Sequence, residues 1–436
     1  MRHHILTIIV LVLCSPLAFS QPPLIMPDNP KITQGITAAI AGNDDEATRL
    51  FREAVAEEPD IAPPGLDVAG RLANSSDDSR AEKVMYWIEK TAEDFPNDPE
   101  AFLLLAELAI DEQRYVEAGL LVKHAEPLVA AMPDKSLRKI PLTGRSMLIY
   151  VSMAENRNRW AEAVELLQKM IVKWSDRTEL VFRLGRDQFK SGKRDDGIAT
   201  IKKWAEQTKG QPNEQSVTLI IFGLYENEGL HDDAWSYLEQ AIKTEPENVR
   251  LQVQASQIKL RQGELDTAKK FLETAIKLAP TNPFVERQQA VIALYDKDFA
   301  KAEKLFEMLL IEYPADRTIR SGLALALCSQ DNSIKLKRAV QLVNESYRNN
   351  PDDIETAESV ALVSIWQGNT EFAEQILTER FDRGEMSPVG AYYIALVYNR
   401  SKRKEEAKIF LEASLSGTNF PQRADAEKLK EELDKD

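Results

Sequence analysis

An all-α fold of stacked helix pairs is predicted by three observations. Small residues recur at a fixed period: Ala234, Ala268, Ala302, Ala339, Ala373 and Ala407 follow one another at 34 residues, with a single step of 37. Apolar residues around each keep helical spacing, and glycine or proline punctuates each segment. A repeat of this length holds two short helices, neither of which buries its apolar face alone, so neighbours must stack into a solenoid.

The block from Gln215 to Pro246 shows the grammar in full. Thr218, Ile221, Phe222 and Tyr225 share one face of a first helix, Gly229 breaks it, and His231, Asp232 and Asp233 begin a second. The buried stripe of that second helix is Ala234, Trp235, Leu238, Ala241 and Ile242, closed by Pro246. Alanine matters because two helices approach to the short end of their ~8–10 Å range only through small side chains. The pattern returns in Ala268, Leu272, Ala275, Pro280, in Ala302, Phe306, Leu309, Pro314, and in Ala339, Val343, Ser346, Pro351. Upstream it reads Ala47, Phe51, Ala54, Pro59, with Gly35 in the preceding helix, then Ala118, Val122, Ala125. Weaker copies centre on Ala81, Ala163 and Gly197, giving eleven repeats. The step from Ala118 to Ala163 is 45 residues, so an 11-residue insertion lies near Pro127 to Pro141, read as an extra turn or loop.

This pattern resembles the tetratricopeptide repeat family, whose repeat carries a small residue in its first helix, then alanine, an aromatic or leucine, a second alanine and proline. The resemblance runs from about Asp28 to Asn419; the early first-helix aromatic is clear only at Phe102. It implies a right-handed superhelix in which first helices line a concave wall. The organisation expected is an export signal at 1–20, a Pro-rich linker at 21–30, repeats at 31–127, the insertion at 128–143, repeats at 144–421 and a charged capping helix at 422–436. These repeats are read as one continuous stack.

The signal is inferred from Arg2, an apolar run from Ile5 to Leu13 and the small residues of Ala18-Phe19-Ser20, with cleavage expected after Ser20. A membrane anchor fits less well, since the run is about half of the ~20 apolar residues that a spanning helix needs. Lipoprotein processing at Cys14 is disfavoured by Leu13, which stands where Gly, Ala or Ser would be expected. The expected location is periplasmic or secreted. Cys328 is then the one remaining thiol, read as an apolar filler among Leu323, Leu325 and Leu327. The formal net charge of −15 becomes −16 when the signal and its Arg2 are removed, which argues against nucleic acid as a partner.

No catalytic or metal constellation is legible, and no cofactor is implied. His124 and His231 lie far apart without a neighbouring ligand pattern. Gly185 and Gly192-Lys193 fail as a phosphate loop because Arg194 replaces the hydroxyl residue. Asp195-Asp196 and Asp232-Asp233 suit helix starts, where the dipole favours negative charge.

What stands out is charge on first helices. Arg183, Arg186 and Lys190 fall on one side of the helix from Thr178 to Ser191. Arg250, Gln254, Gln257 and Arg261 repeat at i, i+4, i+7 and i+11 on the helix from Val249 to Gln262, and Arg287 and Gln288 follow in the next repeat. Arginine forks grip carboxylates and glutamine serves a peptide backbone, so this stripe is expected to bind an acidic or carboxylate-bearing segment of another exported protein. Trp366 and Tyr392 are expected as aromatic anchors. The expectation is a non-enzymatic scaffold of a cell-envelope complex; the alternative is a binding protein for an acidic polysaccharide.

Overall fold

The computed structural model describes residues 29–74, 79–210 and 216–435. The expected signal at 1–20, residues 21–28 of the linker and Gln215 lie outside them. Among the described residues there are twenty-three helices and no strand. The chain divides into two compact units, Met1–Leu230 and His231–Asp436, where the sequence reading expected one uninterrupted stack. A repeat array touches mainly its nearest neighbours, so nothing in the sequence period marks such a division.

The first unit contains α1 (Pro30–Ile40), α2 (Asp44–Glu57), α3 (Gly65–Ala73), α4 (Arg80–Asp94), α5 (Glu100–Asp111) and α6 (Tyr115–Ala131). It continues with α7 (Lys139–Asn156), α8 (Trp160–Lys173), α9 (Thr178–Lys190), α10 (Arg194–Gln207) and α11 (Val217–Asn227). The second unit opens with α12 (His231–Thr244), followed by α13 (Val249–Arg261), α14 (Leu265–Leu278), α15 (Pro283–Tyr295), α16 (Phe299–Glu312), α17 (Arg317–Cys328) and α18 (Ser333–Asn349). Then come α19 (Ile354–Gln367), α20 (Thr370–Asp382), α21 (Pro388–Arg400), α22 (Lys404–Ser416) and α23 (Arg423–Lys435). Helices pair in sequence, α1 with α2 through α9 with α10 in the first unit, and α13 with α14 through α21 with α22 in the second.

Apart from Ala234 on α12, the alanine ladder lies at the seams of these pairs. Ala47, Ala118, Ala163, Ala234, Ala268, Ala302, Ala339, Ala373 and Ala407 are all fully buried. Ala81 does not belong to the ladder, because it is only half-buried and Val84 takes the fully buried place instead. There the small residue is on the partner helix: a Cβ on Gly65 would meet Thr91 Oγ1 at 2.1 Å. The same exchange of bulk occurs at Gly322, where a Cβ would lie 2.4 Å from the Phe306 ring. Cys328 is buried in the core around Leu323, Leu327 and Ala324.

In the second unit, side chains of Asn248, Asn282, Asp316, Asp353 and Ser387 accept from backbone N–H groups at the starts of α13, α15, α17, α19 and α21. Each satisfies a donor that the helix itself leaves open. The turn after α15 places Lys297 at φ 60° where the turn after α13 uses Gly263 at φ 83°. Residues 128–143, expected as an insertion, are absorbed mainly into longer helices: α6 has 17 residues with Pro127 inside it, α7 has 18, and residues 132–138 join them.

First helices of neighbouring repeats touch one another, α1 with α3 and α5 with α7 in the first unit, and α13, α15, α17, α19 and α21 in succession in the second. Second helices pack on their own partner and on the following first helix. First helices therefore form the inner layer of each unit, and their unburied rows are its wall.

Candidate functional site

In the first unit the wall is a ladder of ion pairs. Arg138, buried at the start of α7, donates to Asp98 (2.7 and 2.8 Å), Glu100 (2.7 Å) and the carbonyl of Ile61 (2.8 Å). Arg145 grips Glu107 with two bonds of 2.7 and 2.6 Å. Arg183 grips Glu155 in the same way (2.6 and 2.7 Å) and also donates to Ser152 Oγ (2.8 Å). Arg186 shares Glu155 and donates to Asp187 (2.9 Å). Lys190 sits 4.5 Å above the Trp160 ring and 3.5 Å from Glu228. The three cations expected to face a ligand are thus engaged by the chain itself. Asp187 is fully buried, with its carboxyl pushed up by burial and by neighbouring Glu155. The Arg183 and Arg186 guanidiniums hold Glu155 below its ordinary range despite burial.

In the second unit the polar row of the wall lies on α13. On α13, Leu251, Gln252, Val253, Ala255, Ser256, Ile258 and Leu260 are buried, while Arg250 and Arg261 are exposed and Gln254 and Gln257 partly so. The arginine of Arg250 lies 5.7 Å from the Phe284 ring. Two expected members of the row behave otherwise. Arg287 is held by Asp316 at 2.5 Å. Gln288 is a correction: it is only 2% exposed and donates to Ser256 Oγ (3.0 Å), filling the contact between α15 and α13 rather than the wall.

Further along the same unit lies a cavity of about 420 Å³, lined by Leu325, Leu362, Ile365, Trp366, Tyr392 and Leu396 with Lys297 and Arg400 on its polar side. Pro421 and Gln422, from the segment between α22 and α23, also line it. Trp366 is half-exposed. Tyr392 is buried, because the chain's own Phe420 packs against it with ring centroids 5.9 Å apart. The segment is fastened at a distance: Asn419 donates its N–H to the carbonyl of Arg261 (3.0 Å) and its side-chain amide to that of Leu260 (2.9 Å). Tyr295 donates its hydroxyl to the Asn419 carbonyl (3.1 Å), and Gln422 donates to Tyr393 Oη (3.0 Å). Neither the cavity nor this strap is visible in the repeat pattern.

Close by, Ser387 donates its hydroxyl to Glu358 (2.5 Å) at the start of α21, and burial pushes that carboxyl up to about 7. A carboxyl raised above its ordinary 4.5 stabilises the fold fully below that value, and the contribution is lost as pH rises through about 7. Glu358→Gln should remove this dependence. Between about pH 5 and 8 the wild type should lose roughly 1–3 kcal/mol relative to the variant, measured by urea unfolding; parallel profiles would refute the assignment.

Each unit is a stack of helix pairs, an α-solenoid. Residues 227–290 match the sequence profile of the tetratricopeptide repeat. Among curated proteins no sequence matches. Among solved structures, a tetratricopeptide repeat protein from Parabacteroides merdae is 14% identical, over 59% of this chain and 98% of that one, with a TM-score of 0.43. Yeast Tom70 is 15% identical over 93% and 95% of the two chains, with a TM-score of 0.34. The Thermus thermophilus protein TTC0263 is 20% identical over 42% and 96%, with a TM-score of 0.35. No helix among the described residues is long and apolar enough to cross a membrane.

Proposed function

We propose that the protein is a non-enzymatic interaction scaffold whose second unit receives an extended, acidic segment of a partner protein along α13. The observation that carries this reading is the unburied row Arg250, Gln254, Gln257 and Arg261 on an inner helix most of whose other residues are buried. Two forked cations flank two amides, a spacing suited to carboxylates at either end of a peptide backbone. A preformed wall lowers the ordering cost of binding. In the first unit Arg183 and Arg186 pair with Glu155 and Lys190 lies near Glu228. The setting we propose is the periplasm or cell exterior, on the strength of the apolar run and small residues within 1–20.

Charge reversal of Arg250 and Arg261 together tests this directly. Fluorescence anisotropy with a labelled glutamate-rich peptide should show binding to the wild type and a loss of about tenfold or more in the variant, with unchanged helical signal. Equal binding by both proteins would refute the proposed row, and saturable binding of uronic-acid polymers in place of the peptide would favour the polysaccharide reading.

A further inference from the structure

A capping helix needs only to cover the last repeat of a stack. The segment before α23 does more. From the end of α22 it runs back across the inner layer to the end of α13, so that Asn419 bonds a residue 159 positions earlier. Its contacts are those of an extended ligand: a backbone N–H and a side-chain amide given to the carbonyls of Arg261 and Leu260, a carbonyl accepting from Tyr295, an aromatic ring on Tyr392, and an amide on Tyr393. Carbonyls at a helix end are left open by the helix, which makes them a standing acceptor site for such donors. Burial pushes the Tyr295 phenol up to about 12, keeping it a donor.

The strap does not fill the space that it crosses. A pocket of about 420 Å³, partly open to solvent, is lined by Pro421 and Gln422 together with Trp366, Tyr392 and aliphatic side chains. That volume and that lining are those of a ligand pocket. Entry into the strap is also shaped for it: a Cβ on Gly417 would meet Pro388 Cγ at 2.4 Å, so the chain turns where only glycine fits. The ion pair that pins the following helix, Lys297 with Asp425 at 2.7 Å, is exposed and therefore weak.

We propose that this floor is a binding site for an extended peptide bearing an amide side chain followed by an aromatic residue and proline, and that residues 417–422 occupy it in cis as a built-in competitor. The proposal rests on the reading that the inner layer of the second unit receives extended segments, and it names a second stretch of that layer, which meets the charged row on α13 only at the backbone carbonyl of Arg261. An outside segment of this chemistry must displace the strap, so the apparent affinity of the intact chain is lowered by the fraction of time the strap is bound.

The test uses the full chain and a labelled peptide of residues 417–423, amidated at its C-terminus. Asn419→Ala combined with Phe420→Ala should loosen the strap and raise peptide affinity about tenfold or more over the wild type. In the wild type, saturating peptide should accelerate hydrogen exchange across residues 417–435, which decides the matter even where the double variant folds poorly. Equal affinity for both chains, no saturable binding by a variant with wild-type circular dichroism, or unchanged exchange in the wild type would overturn the proposal. The peptide has no acidic side chain, so reversal of Arg250 should leave its binding intact. A glutamate-rich peptide that still binds through Arg250 while this one fails would sink the strap site alone.

Discussion

Ala268→Arg is expected to unfold the region around α13 and α14, at a cost of at least about 3 kcal/mol. Ala268 is fully buried in the cluster formed by Val253, Leu260, Leu272, Ala275, Val285 and Ile292. An arginine there overpacks the seam between two helices and carries an uncompensated charge into it. Both penalties act on the same two helices, and a repeat stack transmits the damage to its immediate neighbours. The measurement is urea unfolding followed by circular dichroism and by emission in a background where the tryptophans other than Trp235 are replaced by phenylalanine; the Trp235 ring lies 6.1 Å from Phe271 on α14. A midpoint equal to the wild type would mean that the helices do not meet through Ala268.

Arg138→Met should be nearly as damaging, for an electrostatic reason. The guanidinium of Arg138 is 3% exposed and ties together the carbonyl of Ile61, Asp98 ahead of α5 and Glu100 within it. Methionine fills much of the volume but leaves two carboxylates in a buried site; Glu100 keeps only a looser contact with Arg145 at 3.8 Å. Removing one partner of a buried ion pair typically costs about 3–5 kcal/mol. Arg138→Lys should fall between, because an ammonium restores the charge without the planar fork. Thermal unfolding of the three proteins side by side checks the order; equal stability of the methionine variant would show that the network contributes nothing to the first unit.

The repeat was legible because alanine and glycine sit where helices cross, and close approach leaves no other choice there. Ala81 misled because the fully buried place on α4 is taken by Val84, and the small residue of this pair is Gly65, which faces Thr91; a search for alanines alone slips by three residues. The row on α13 was equally legible, since a helix buried on its other sides shows its open face as a polar period. Arg183 and Arg186 were not, because their partner Glu155 stands about one repeat away, 28 residues before Arg183. A signal existed: Arg145 with Glu107 at 38, Arg287 with Asp316 at 29 and Arg317 with Asp353 at 36 residues all bridge adjacent repeats. Opposite charges separated by about one period are spatial neighbours in a stack. Gln288 shows the converse, a polar residue buried because a serine one repeat earlier accepts its hydrogen bond. The strap lies beyond any periodic argument, since its fastening joins residues 159 apart through backbone groups that every sequence possesses.

Cys328 gives the second unit a chemical clock. Burial pushes its thiol up to about 12, so almost none is thiolate at neutral pH, and thiolate is the reactive form. An alkylating reagent therefore waits for the helices around α17 to part, and the speed of labelling counts those openings directly. In an oxidising surrounding the same burial keeps this thiol from crosslinking one molecule to the next for as long as the stack stays shut.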